Sequence, residues 1–141
     1  MKKKVLVSSC LLNEICRYDG TTKMDIYDDL DDYEIVPFCP EKFMGVPRKK
    51  ISLHKGLDNA VHLIREDGLD VTQELSEEID GFLAYAKGFD KIILKSKSPS
   101  CGYKTTPVID EEKISLGHGL FVQKLLEVYD ESIFFDENNY K

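Results

Sequence analysis

A chain of 141 residues, 42% hydrophobic and 32% charged, has the size and balance of one globular domain and excludes a disordered or fibrous polymer. Its formal net charge of -7 argues against general nucleic-acid binding, which needs many cations against phosphates, and leaves room only for a local basic patch. No apolar run approaches the roughly 18 residues of a membrane span, and the apolar stretch after Lys2-Lys3-Lys4 is too short for a secretory signal.

A single domain over residues 1–141 and a cytoplasmic location are therefore expected. In that compartment thiols stay reduced, so the four cysteines point to metal binding or thiol chemistry rather than to structural disulfides.

Lys3 to Ser8 reads as a buried strand. Val5-Leu6-Val7 is continuous rather than alternating, as in a parallel sheet covered on both faces. The strand runs into Ser9 and Cys10. Beyond the turn signal Asp19-Gly20, the acidic segment around Asp25 to Asp32 can make one or two helical turns. Tyr33 to Phe38 reads as a second strand, ended by Pro37 or Pro40, and it delivers Cys39. Pro40 to Asn59 is rich in Lys, Gly and Pro without a period and reads as a functional loop.

Val61 to Glu66 and Leu69 to Thr72 flank Asp67-Gly68, which predicts a small antiparallel ribbon. Asp70 or Thr72 can cap a helix reaching about Lys87, with Leu75, Ile79, Phe82, Leu83 and Ala86 on one face and Gly88 as the stop. Lys91 to Lys95 reads as a third core strand, Ile92-Ile93-Leu94, entering a Ser- and Pro-containing loop that ends at Cys101-Gly102. A second helix is expected from about His118 to Val128, burying Leu120, Phe121, Leu125 and Val128, and Ser132 to Phe135 can add a last strand. Strands alternating with helices predict an α/β fold with a mostly parallel sheet.

Open parallel sheets place ligands beyond the carboxyl ends of their strands. Cys10, Cys39 and Cys101 each follow one of the three best strands, so the three are predicted to meet at one site. Pro40 stiffens one neighbour, Gly102 lets the backbone approach closely at another, and Ser98 and Ser100 add hydroxyls. A single cysteine often serves only as a small buried hydrophobe, but three at strand ends in such loops favour a cofactor pocket. Cys10 and Cys16 are separated by five residues, too many for a zinc knuckle. Thiolates also hold iron-sulfur clusters, and a cluster with three protein ligands keeps one iron open, as catalytic zinc keeps an open position. His54, His62 and His118 lack mutual ligand spacing; His62 in a strand and His118 at a helix start are expected to be structural.

Four motifs in order carry a resemblance: Ser8-Ser9-Cys10-Leu11-Leu12, Cys16-Arg17-Tyr18-Asp19-Gly20, Val36-Pro37-Phe38-Cys39-Pro40-Glu41 and Lys95-Ser96-Lys97-Ser98-Pro99-Ser100-Cys101-Gly102. With Asp67-Gly68 and Gly117-His118-Gly119, they make the chain resemble the bacterial 2-thiouracil desulfurases over nearly its whole length. The stretch Lys49-Lys50-Ile51-Ser52-Leu53-His54 departs from the acidic, Pro-rich continuation of that family. The resemblance implies a Rossmann-like α/β three-layer sandwich with the site at the strand carboxyl ends. It also implies a [4Fe-4S] cluster ligated by Cys10, Cys39 and Cys101, with one iron open to the sulfur of a thiolated pyrimidine. By the same resemblance Glu41 and Ser98 are the acid-base residues, and the reaction replaces sulfur with oxygen from water. Ser100 competes with Ser98.

Cys16 has two readings. As a fourth ligand it closes the cluster, and as a nearby thiol it leaves the iron open; the need for an open site favours the second. Two other functions are weighed against the desulfurase: a non-enzymatic cluster carrier or redox sensor, which needs no carboxylate, and a metal-free thiol enzyme or sulfur carrier working through a persulfide.

Overall fold

The computed structural model describes residues 3–9, 30, 32–40, 50–56, 60–111 and 113–140. Along the chain the described elements are β1 (Lys3–Ser8), β2 (Tyr33–Phe38), β3 (Ile51–Lys55), β4 (Val61–Arg65), α1 (Thr72–Leu83), β5 (Lys91–Ile93), β6 (Thr106–Asp110), β7 (Lys113–Gly117), α2 (Leu120–Leu125), a 3-10 turn (Glu131–Ile133) and β8 (Phe134–Phe135).

Continuous apolar runs mark the central strands because both faces of their sheet are covered. Val5, Leu6 and Val7 of β1 are fully buried, as are Ile92 and Ile93 of β5. Leu6, Ile92 and Phe134 face a core shared with Leu75, Ile79 and Phe82 of α1, Phe121 and Leu125 of α2, and Leu53 and Leu63 of a second sheet. On the opposite face Val5, Val7 and Ile93 pack with Leu30 and Tyr140. The strand order is β2-β1-β5-β8, parallel at every pairing. The α/β class with a mostly parallel sheet is as expected. Pro37 sits inside β2 opposite Val7 rather than ending the strand. β2 is the edge strand of the described order, where a residue without an N–H costs no ladder bond on its outer side.

The second sheet has the order β4-β3-β6-β7, with β3 parallel to β6 and antiparallel pairs at both ends. It changes the reading of two regions. Residues 51–55, expected in a loop, form β3, in which Leu53 is buried in the core; the alternation Ile51-Ser52-Leu53-His54 is a strand period hidden in a Lys-, Gly- and Pro-rich neighbourhood. β4 takes β3 as its ladder partner, so the ribbon across Asp67-Gly68 shrinks to a turn with Gly68 at φ +91° and one bridge, Ile64 to Asp70.

Both helices are shorter than predicted. α1 starts at Thr72, whose N–H donates to Asp70 Oδ1 at 2.9 Å while its hydroxyl oxygen accepts from the N–H of Leu63 at 2.7 Å. It stops at Leu83, and Gly88 follows at φ +80°. α2 buries Leu120, Phe121, Val122 and Leu125, but Val128 is 73% exposed. The helix has ended before Val128, which removes that residue from the inward stripe. The helical turn expected between Asp25 and Asp32 falls almost wholly outside the described residues. Among the described residues, no helix is long and apolar enough to cross a membrane.

Candidate functional site

Register decides which chain segments arrive together. Ser8, the last residue of β1, pairs with Phe38, the last residue of β2, and β5 lies alongside β1 in the same direction. Cys39 follows β2 directly, and the loop bearing Ser98, Ser100 and Cys101 leaves β5 at the same edge. Cys10, Cys16 and Glu41 lie outside the described residues. Cys39 is half-buried and packs with Tyr33, Ile35 and Phe135 against the cluster of Val5 and Val7, whereas Cys101, 4% exposed, belongs to the core on the helix side. The two described cysteines thus depart from one sheet edge toward opposite faces. Among the described residues, no group of three His, Cys, Asp or Glu side chains stands ready to hold a metal ion.

The Cys101 loop is a tight turn built on Ser98. Ser98 Oγ accepts from the N–H of Cys101 at 3.0 Å and from the N–H of Ser100 at 3.3 Å, which is how a serine before proline initiates a turn. The same oxygen lies 3.2 Å from Ser100 Oγ, and the Ser100 hydroxyl donates to Cys101 Sγ at 3.7 Å. The hydroxyls therefore form a chain ending on sulfur. Ser100 is fully buried, while Ser98 is partly exposed, so Ser98 is the member that solvent or a ligand can approach.

Sequence reading found these residues but missed what grips them. The Ser98 carbonyl accepts from the Thr106 hydroxyl at 2.6 Å and from the N–H of Gly102 at 2.9 Å. On the other side, the start of α2 donates into the loop: Gly119 to the carbonyl of Gly102 at 2.8 Å, Leu120 to Pro99 at 3.2 Å and Phe121 to Ser100 at 2.8 Å. These are the N–H groups a helix start leaves without intrahelical partners, and here the loop satisfies them. Gly117-His118-Gly119 was the available signal, since a paired glycine before a helix implies a close backbone approach.

Ser8, Lys95, Ser96 and Glu137 tie the strand ends together. Ser8 Oγ accepts from the N–H of Lys95 at 2.9 Å, linking β1 to the chain leaving β5. Glu137 then fastens that chain: its carboxylate accepts from the Ser96 N–H at 2.8 Å and hydroxyl at 2.9 Å, and meets Lys95 Nζ at 3.1 Å. Burial alone would push the Glu137 carboxyl up, but the Ser96 N–H, its own backbone N–H, Lys95 and the Ser96 hydroxyl outweigh it and hold the group below the usual range.

His62 and His118 each pair with neighbouring groups. His62 Nδ1 lies 3.0 Å from Asp70 Oδ2. His118 Nδ1 accepts from the N–H of Lys104 at 3.1 Å, and its ring stacks on Tyr103 with centroids 5.1 Å apart. Burial and then the Lys104 charge hold the His118 imidazole below its ordinary value, against an opposing pull from Glu131.

Residues 5–137 match the family described as 2-thiouracil desulfurase. The uncharacterized protein YbbK of Bacillus subtilis (strain 168) is 36% identical over 109 residues, covering 70% of this chain and 72% of that protein. Among solved structures, a [4Fe-4S]-dependent thiouracil desulfidase, TudS, superposes with a TM-score of 0.72 at 31% identity, covering 97% of this chain and 92% of that one. A match over almost the full length, joined to the ordered Cys39 and Ser98-to-Gly102 motifs at one edge of a parallel sheet, establishes that this chain belongs to the 2-thiouracil desulfurase family.

Proposed function

We propose that this chain, acting as a single cytoplasmic domain, is a [4Fe-4S]-dependent desulfurase of thiolated pyrimidines such as 2-thiouracil. The reaction exchanges sulfur for oxygen: a thiocarbonyl and water give a carbonyl and hydrogen sulfide, with no net electron transfer. The observation that carries the reading is the Cys101 loop, a buried thiol with a hydroxyl donor on its sulfur at the carboxyl edge of a parallel sheet, in a chain of this family.

The donor chemistry fits an iron-sulfur cluster. Cysteine thiolates are its customary ligands, and a donor such as the Ser100 hydroxyl on sulfur stabilises the thiolate form. Cys10, Cys39 and Cys101 would hold the cluster, with Cys16 a nearby thiol rather than a ligand. When bound, a cluster with one iron free of protein ligands supplies a Lewis acid that polarises the carbon-sulfur bond.

The remaining chemistry falls to side chains. Glu41, two residues after Cys39, is assigned as the general base that takes a proton from water. Ser98 is assigned to hydrogen-bond the heterocycle and pass a proton, because it is the less buried member of the hydroxyl pair it forms with Ser100.

Anaerobic purification, iron and sulfide analysis, visible absorption and an assay of sulfide release from 2-thiouracil test the proposal together. A brown protein that turns over thiouracil is expected. Brown protein inert to a panel of thiolated bases would instead favour a cluster carrier or sensor. Protein that stays colourless after reconstitution with iron and sulfide would end the cluster reading.

A further inference from the structure

We infer that Gly119 and Thr106 are positioning residues for Cys101, gripping its loop from two sides so that the sulfur is presented in one direction. The inference rests on the reading of Cys101 as a cluster ligand. Neither residue would touch cluster or substrate.

A Cβ built on Gly119 would overlap the carbonyl carbon of Ser100, and would lie 2.5 Å from its oxygen and 2.8 Å from the Cys101 nitrogen. The Ser100–Cys101 peptide therefore rests directly on Gly119, and every atom in that contact is backbone. Such a contact cannot relax by rotating a side chain, so any larger residue must displace the peptide that carries Cys101. Gly119 also donates its N–H to Gly102, one residue past the cysteine.

Thr106 holds the other side. It is fully buried at the start of β6, and its hydroxyl donates to the Ser98 carbonyl at 2.6 Å. A Cβ on Gly102 would collide with Thr106 Oγ1 and approach the Ser98 carbonyl to 3.0 Å. The turn is thus pinched between the first residue of β6 and the start of α2, which together set its backbone direction. This is the supporting-shell arrangement in which outer contacts orient a ligand and typically govern affinity by about 10- to 100-fold.

Gly119→Ala and Thr106→Val test the inference, with Thr106→Ser as the rescue and Gly117→Ala as the control. Thr106→Val keeps the volume and removes only the hydroxyl, so the experiment stands even if Gly119→Ala does not fold. Added bulk at Gly117 meets only the Val108 Cγ2 methyl, at 3.0 Å. Each folded protein is reconstituted anaerobically with iron and sulfide, and cluster content, visible and paramagnetic-resonance spectra and rate of cluster loss to a chelator are read beside circular dichroism.

The expected result is unchanged circular dichroism with cluster retention weakened about tenfold or more in Gly119→Ala and Thr106→Val, restored by Thr106→Ser and unaffected in Gly117→Ala. Wild-type spectra and retention in Thr106→Val would overturn the inference, as would an equal loss in Gly117→Ala. If the wild-type protein itself takes up no cluster, it is the proposed function that has failed, and the two failures are told apart.

Discussion

The ring of Phe121 meets the ring of Phe38 edge-on, with centroids 5.2 Å apart. Phe38 immediately precedes Cys39, and the backbone N–H of Phe121 donates to the carbonyl of Ser100, the residue before Cys101. One residue at the start of α2 therefore couples the ends of two cysteine-bearing segments. Phe38 also stacks on Phe82 of α1 at 4.0 Å, so both helices bear on the same point. Phe121 is fully buried, and Phe121→Ala is expected to cost about 3–5 kcal/mol in urea unfolding. A double-mutant cycle with Phe38→Leu should return a coupling of roughly 0.5–1.5 kcal/mol; strict additivity would mean that the ring contact carries no energy of its own.

Under the proposed function, Cys10→Ser, Cys39→Ser and Cys101→Ser each abolish the visible cluster absorption, and Cys16→Ala retains both absorption and turnover. Iron and sulfide per chain decide the matter. Loss of the cluster in Cys16→Ala would make the site four-coordinate and closed.

Ser98 and Ser100 are separable by kinetics. Per bound cluster, Ser98→Ala should lower kcat about 10²- to 10⁴-fold, the usual range for a positioned acid-base group, and Glu41→Gln should do likewise. Ser100→Ala, which removes the donor on Cys101 Sγ, should shift the cluster spectrum while leaving more of the turnover. The reverse ranking would move the catalytic role to Ser100.

Glu137 is held ionised by Ser96 and Lys95. A carboxyl whose folded pKa is depressed contributes stability above its unfolded pKa, and that contribution is lost as pH falls through the folded value. Thermal stability should accordingly be insensitive to this group near neutrality and fall below about pH 4. Glu137→Gln, which leaves Lys95 without its carboxylate, should cost roughly 2–3 kcal/mol at pH 7 and flatten the acid limb.

His118 titrates in a different window. Its folded pKa is depressed, so the unfolded chain takes up a proton first as pH falls, and stability drops from about pH 6.5 downward. In His118→Asn, whose amide oxygen can still accept from Lys104, the slope of melting temperature between about pH 7 and pH 5 should decrease. An unchanged slope would assign that dependence to other groups.

Strands β1 and β5 were legible because a doubly covered parallel strand writes itself as an unbroken apolar run, and Val5-Leu6-Val7 and Ile92-Ile93 are such runs. The second sheet was largely illegible. β3 is short and lies in loop-like composition, and β7, with Ile114 and Leu116 about 70% exposed, lacks the burial that would give it a one-sided pattern. β3 pairs with β4, the next strand along the chain, but its other neighbour, β6, is distant in sequence, so no short window contains both of the partners that make it an interior strand.

The candidate site divides along the same line. Residue identity and order were enough for the family, the α/β class and the cysteine and serine candidates, because motif spacing and strand ends are local properties. Tertiary structure alone decided that Ser98 is half-buried and Ser100 fully buried, that Glu137 locks Lys95 and Ser96, and that α2 and β6 clamp the Cys101 loop. Those relations depend on how separate segments are brought together, through side-chain and backbone hydrogen bonds whose donors and acceptors almost every residue carries, so they leave no mark on composition.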